Sequence, residues 1–314
     1  MKTNLLKLTA FLLIAAGLFS ACKEKEEPWT GIPEPVWPII DIDPAWSPDE
    51  QWIVYNHLTG FGGYDIYLIR PDGTENTLWH AGGDCPTWSP CGEWIAFSQY
   101  AQIWKKKLNG DSLTLLTNDA GRHFFTAWSP DGKTLVYNQT VCNTMPCGLW
   151  KLDLDTETHE HIIWYGMYFD FNPVTGHLIY TKSWETTTGN NKIVMGDSVF
   201  VHNLSLGTNK FIVSLGGLTA RSQYLKYNNT GAKILFTSSS ITSDEHQIPG
   251  IWIMDANGAN VRKLIDRGEY ACWSPDGTKI VYSDNRKENG RLWIANADGS
   301  GKRQLTFDSL FENP

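Results

Sequence analysis

The chain of 314 residues carries 26 Lys and Arg against 34 Asp and Glu, a formal net charge of −8. That balance argues against nucleic acid and anionic lipid surfaces, partners held through phosphate charge. No apolar run of about 18 residues, the length of a spanning helix, follows the N-terminal leader.

Residues 1–21 read as that leader: Lys2 and Lys7, an apolar stretch from Leu8 to Leu18, then Phe19-Ser20-Ala21 ahead of Cys22. Basic, apolar and small segments in this order mark a cleaved secretory signal, not a membrane span. A Cys directly behind the small pair resembles the bacterial lipobox, which implies lipidation of Cys22 (palmitate-type chains) as the first mature residue. The other reading is an ordinary cleaved signal with a coincidental Cys. Cleavage removes the positive charges of Lys2 and Lys7, so −8 becomes −10. Several acyl chains on one residue anchor stably where one chain is marginal. The expected location is therefore the envelope of a Gram-negative bacterium, on the outer membrane, facing the periplasm or the cell surface. Residues 22–38 form a tether, with Lys23-Glu24-Lys25-Glu26-Glu27 followed by Pro28, Pro33, Pro35 and Pro38; such composition stays extended and solvated. Its acidic run resembles a surface-export tag and equally suits a plain spacer.

Residues 39–314 repeat one phrase six times. Trp46-Ser47-Pro48-Asp49, Trp88-Ser89-Pro90-Cys91-Gly92 and Trp128-Ser129-Pro130-Asp131-Gly132 come first. Phe171-Asn172-Pro173 and Tyr227-Asn228-Asn229-Thr230-Gly231 are weaker copies, and Trp273-Ser274-Pro275-Asp276-Gly277 restores the full form. The Ser or Asn anchors are 42, 40, 43, 56 and 46 residues apart, a period that signals an array of one supersecondary unit. Behind each anchor lies a short β-rich run such as Trp52-Ile53-Val54-Tyr55 or Lys279-Ile280-Val281-Tyr282, which predicts a strand. A second run follows, centred on Tyr67, Trp104, Trp150, Phe200, Trp252 or Trp293, then a turn such as Asn109-Gly110 or Asp298-Gly299. Those turns supply the positive φ of a tight hairpin, and a last short strand completes four.

Radial repetition of four-stranded sheets gives an all-β, six-bladed β-propeller of antiparallel blades, since one such sheet cannot bury both faces alone. The Trp before each Ser-Pro and the aromatic of the third strand are expected between neighbouring blades. Residues Ile39 to Asp43 are expected to close the ring against the last blade, sparing open sheet edges. The Trp-Ser-Pro-Asp-Gly turn, the Ile-Val-Tyr strand and the later Leu-Trp-Ile run resemble the TolB-type, WD40-like propeller repeat over residues 43–306. The resemblance implies this fold. With about twenty residues between Cys22 and the first blade, the N-terminal α/β domain of that family is expected to be missing. No Gly-x-Ser-x-Gly nucleophile elbow is present.

Of the cysteines behind Cys22, Cys142 and Cys147 are expected to staple their loop as a disulfide in an oxidising envelope. A lone Cys-x4-Cys without a second pair is poor zinc chemistry. Cys85 and Cys91 either pair or stay free, and Cys272 beside Trp273 reads as inert. His159 and His161 share one side of a strand but lack a third ligand. Gly299-Ser300-Gly301-Lys302 lacks the first Gly of a phosphate-binding loop. No metal and no cofactor are expected.

The stereotyped turns occupy one face of such a ring, so variation gathers on the opposite loops, where binding sites are built. The longest insertions are those of the fourth repeat (Ser183 to Asp197) and the fifth (Ser238 to Gly250), either walls of a cleft or solvated excursions. The segments entering the innermost strands should line the central channel: Asp41, Asp43, Asp84, Arg122, His123, Phe124, Tyr168, Asp170, Arg221, Tyr224, Glu269 and Tyr270. Asp84, Arg122, His123, Tyr168, Asp170, Arg221, Tyr224, Glu269 and Tyr270 are the candidate ligand-binding set, although a channel mouth is wet and tolerates charge without a ligand. The functional expectation is a monomeric binding or assembly module for an envelope protein segment or a glycan. The alternative is a carbohydrate-active hydrolase or lyase using channel carboxylates such as Asp84 and Asp170.

Overall fold

A computed structural model describes residues 39–307 apart from 60–62, 142–145, 188–192, 216–222, 240–248 and 285–289. The leader, Cys22, the tether, Cys142 and Arg221 thus lie outside the described residues. Every element falls in one compact unit, Trp37–Pro314.

The strands form six sheets of four, each built from consecutive strands. Blade 1 holds β1 (Ile39–Trp46), β2 (Ile53–Thr59), β3 (Tyr64–Ile69) and β4 (Thr77–His80). Blade 2 holds β5 (Asp84–Trp88), β6 (Trp94–Gln99), β7 (Gln102–Lys107) and β8 (Thr114–Leu115). Blade 3 holds β9 (His123–Trp128), β10 (Thr134–Gln139), β11 (Gly148–Asp153) and β12 (Thr158–Trp164). Blade 4 follows with β13 (Met167–Phe171), β14 (Leu178–Thr187), β15 (Ile193–Asn203) and β16 (Thr208–Ser214). Blade 5 consists of β17 (Gln223–Tyr227), β18 (Lys233–Ser239), β19 (Pro249–Asp255) and β20 (Arg262–Ile265). Blade 6 closes the series with β21 (Glu269–Trp273), β22 (Lys279–Asp284), β23 (Arg291–Asn296) and β24 (Arg303–Gln304). The architecture is the expected six-bladed propeller. The long insertion of the fourth repeat is a continuation of its central hairpin, with β14 and β15 paired out to Thr187 and Ile193.

The repeated phrase is a strand-joining turn. Ser129 Oγ donates to Asp131 Oδ1 at 2.6 Å and accepts the Thr134 N–H at 2.9 Å; Ser274 repeats this with Asp276 and Lys279. Asn228 does the same work with its amide oxygen, accepting from Lys233 N at 2.9 Å. Each hydroxyl or amide replaces a ladder partner the turn removes, so the anchors can be buried at no polar cost. The last turn position is left-handed in every complete copy, with φ near 72° at Gly132 and Gly277. Blade 1 puts Glu50 there, at φ 62°.

Six apolar clusters make the core, and each straddles two adjacent blades. Trp88 packs with Val54, Ile66 and Leu68 of blade 1 and with Ile95 and Phe97 of its own. Trp273 packs likewise on Leu235, Ile251 and Ile253 of blade 5. Two of the indoles also donate backwards across the seam, Trp88 Nε1 to Ala45 O at 3.0 Å and Trp273 Nε1 to Lys226 O at 3.3 Å. The third-strand aromatics Tyr67, Trp104, Trp150, Phe200, Trp252 and Trp293 flank the same clusters. The tryptophans are seam residues, as expected.

Closure joins blade 6 to blade 1 without exchanging a strand. Trp46, Ile53 and Tyr55 pack against Val281, Leu292 and Ile294. A parallel bridge links Ile40 to Gly290. Asp41, expected in the channel, is instead 1% exposed inside this junction. Its carboxylate meets His57 Nδ1 at 2.5 Å, accepts from Thr306 Oγ1 at 2.5 Å and lies 3.8 Å from Arg291 Nη1. Its carbonyl accepts from Ser283 Oγ at 2.6 Å. Cys147 is disulfide-bonded, while Cys85, Cys91 and Cys272 are free thiols.

Two stability outcomes follow. Asp41→Ala strands buried polar partners and should cost about 3 kcal/mol or more in a denaturant melt. Glu50→Gly relieves a left-handed non-glycine residue and should add about 0.5–1 kcal/mol in the same assay.

Candidate functional site

Each innermost strand contains a β-bulge at one equivalent place. Pairing jumps from Ile42↔Asn56 to Ala45↔Val54 in blade 1, and from Glu269↔Ser283 to Cys272↔Val281 in blade 6. The other four inner strands slip at the same point. At every bulge one residue turns left-handed: Asp43 (φ 51°), Cys85 (52°), Phe125 (32°), Tyr168 (28°), Tyr224 (59°) and Tyr270 (58°). None is glycine, so each carries backbone strain of about 1–2 kcal/mol. All six line one cavity of about 60 Å³.

The sequence builds this ring twice over. Opposite each bulge stands a buried aromatic of the second strand, Tyr55, Phe97, Tyr137, Tyr180, Phe236 or Tyr282. The next residue is a buried polar one, Asn56, Ser98, Asn138, Thr181, Thr237 or Ser283. These polar groups pin the backbone around the bulges. Asn56 Oδ1 accepts from Cys85 N at 2.8 Å and Thr237 Oγ1 from Tyr270 N at 3.2 Å, each reaching into the following blade. Ser98 Oγ donates to His123 O at 2.8 Å. A side chain so held cannot relax by rotating its backbone, which is the rigidity a binding site needs.

The ring is chemically lopsided. Phe125, Tyr168, Tyr224 and Tyr270 form a connected aromatic wall, with centroids 5.4 Å apart for Phe125–Tyr168, 5.2 Å for Tyr168–Tyr224 and 4.2 Å for Tyr224–Tyr270. The other side carries Asp43 and Cys85, with Asp84 beside them; their donor atoms lie within 4.8 Å of one another. Burial, then the neighbouring Asp84 carboxylate, push Asp43 well above the usual carboxylate range. Burial raises Asp84 as well, and burial followed by Asp43 raises the Cys85 thiol. The Tyr224 and Tyr270 phenols are driven up by burial and then by Asp43, so both are neutral in the physiological range. Lys226 completes the lining, its Nζ 3.5 Å from Asp170 Oδ1. Asp43, Asp84 and Cys85 are the one group among the described residues with the spacing to share a metal ion.

The expected set divides accordingly. Tyr168, Tyr224 and Tyr270 line the cavity, and Asp84 stands behind Cys85. Asp170 is engaged by Lys226 and by the Tyr227 N–H at 2.9 Å. Glu269 precedes its bulge and acts on Asp43 through space. Arg122 is exposed and absent from the lining. His123 is fully buried, bonded through Nε2 to Asp119 at 2.8 Å. Asp43, Cys85, Phe125 and Lys226 were outside the candidate ligand set. A signal for three of them exists: every bulge residue stands four positions ahead of its Ser or Asn anchor.

No family model matches the chain. Among solved structures, TolB from Acinetobacter baumannii aligns with 89% of this chain and 66% of its own, at 18% identity and a TM-score of 0.62. The fold is a TolB-like β-propeller. Oligogalacturonate lyase from Vibrio parahaemolyticus aligns with 82% of this chain and 91% of its own, at 11% identity and TM-score 0.55. A chain of a nidogen/laminin complex aligns with 86% and 92%, at 10% identity and TM-score 0.57. Identities this low carry the fold of a TolB-like propeller and no activity.

The strained acidic side gives a test. A carboxyl whose pKa is raised on folding costs stability above that raised value, and the cost fades as pH falls toward the unfolded value of about 4. Asp43→Asn should therefore raise Tm at neutral pH, and the gain should shrink in melts run at progressively lower pH.

Proposed function

We propose that the propeller is a binding module of the cell envelope, tethered through Cys22, that takes a segment of a partner protein into its axial cavity. The observation supporting this is the ring of six strained, backbone-pinned side chains, one per blade, around a single cavity. Strain maintained at six equivalent places, filled by an acid, a thiol and four aromatics, fits a site for recognition. A folded partner domain cannot enter a cavity of about 60 Å³, whereas a side chain presented by a loop or an extended segment can reach into it. The TolB-like fold and the leader sequence are consistent with an envelope location.

A second reading is a lyase or hydrolase, favoured by two carboxyls, Asp43 and Asp84, held above their usual range, the condition of a general acid. It requires turnover of a polysaccharide that disappears in Asp84→Asn.

A photoreactive phenylalanine at Tyr270 in living cells separates the two. One discrete protein adduct, lost when Tyr224 is also changed to Ala, is the expected result. A folded, correctly exported probe protein that yields no protein adduct would reject the partner reading.

A further inference from the structure

We propose that the axial cavity receives a side-chain cation, an arginine guanidinium or lysine ammonium presented on an extended segment, between the aromatic wall and the carboxylates of Asp43 and Asp84. This rests on the binding-module reading and names the chemistry of its ligand.

Three observations converge. The wall formed by Phe125, Tyr168, Tyr224 and Tyr270 is continuous, its adjoining ring centroids 4.2–5.7 Å apart. Ring faces attract cations, and more so where water is excluded. Opposite lie two carboxyls without a counter-ion: among the described residues, neither Asp43 nor Asp84 has an ion-pair partner, and a cation placed between them and the rings would favour their ionised form. The cation in the lining, Lys226, is committed to Asp170 at 3.5 Å. Through space Lys226 favours the charged form of Asp43, and Glu269, more weakly, opposes it. An anion entering here would meet the Asp43 carboxyl, with that of Asp84 behind it. A neutral sugar could stack on the rings but would leave both carboxyls without the counter-ion that a cation supplies. The planar guanidinium is best matched, because it can stack on a ring and face a carboxylate at once.

Titration calorimetry on the full-length, chelator-treated protein tests this with two peptides. One is acetyl-Gly-Ser-Arg-Ser-Gly-amide; the other replaces its arginine by citrulline, which is near-isosteric and uncharged. The arginine peptide should bind saturably, and the citrulline peptide about tenfold or more weaker. Asp43→Asn and Tyr224→Leu should each weaken the arginine peptide by a similar factor. Asn tolerates the left-handed backbone of position 43 as Asp does, and a thermal melt verifies folding of both variants. Equal affinity for the two peptides, no loss in folded Asp43→Asn, or no binding of the arginine peptide at millimolar concentration overturns the inference. A Tyr270 adduct in cells combined with any of those results means that the partner site stands and its ligand is not a cation.

Discussion

The structure depends on closing a circle. Five of the six seams join blades that are neighbours in sequence, and the sixth must bring blade 1 to blade 6. Asp41 lies at that sixth seam, bonded to groups 242 and 265 residues further on. Contacts of such separation form only after most chain entropy has been lost. A carboxylate buried with His57, Thr306 and Arg291 is a demanding way to make that contact, because it is favourable only when every partner is present. The same demand makes it selective. A ring with a blade missing or misplaced leaves Asp41 buried and unsatisfied.

Much of the fold was legible because the chain states it repeatedly. The anchors, the seam tryptophans and the third-strand aromatics each recur, so a misread copy is corrected by the others. The weak copy at Asn228 keeps the acceptor of the missing Ser, taking the Lys233 N–H, whereas Asn172 accepts from Val174 N and Thr175 N within its own turn. The site was less legible for one physical reason. Alternation of inward and outward residues identifies a strand face only while the register is unbroken, and a bulge resets it. Reading blade 3 without its bulge gives Phe124 as the channel residue, where the bulge delivers Phe125. Arg122 and His123 fell to the same miscount, one ending in solvent and the other against Asp119. Asp41 was misplaced for another reason, since nothing local distinguishes a carboxylate facing the axis from one facing a blade formed more than 240 residues later.

The cavity is stabilised from outside and strained within. Buried aromatics opposite each bulge and the buried polar residues behind them hold six left-handed side chains that would not adopt that conformation alone. Two carboxylates share the same confined space. These costs belong to one place, while the seams that offset them are spread around the ring. Such a division is the usual mark of a protein that gives up local stability for a prepared surface.

The positions around the axis are also genetically independent. Each comes from a different repeat, roughly forty residues from the next, and each is held by backbone contacts that do not depend on its own side chain. A single codon change can therefore alter one sixth of the lining while leaving hydrophobic seams, register and closure as they were. Selection on such a protein acts on something like a six-dial lock whose case does not move when a dial is turned. Chains sharing this ring can accordingly drift to unrelated ligands while their folds remain superimposable.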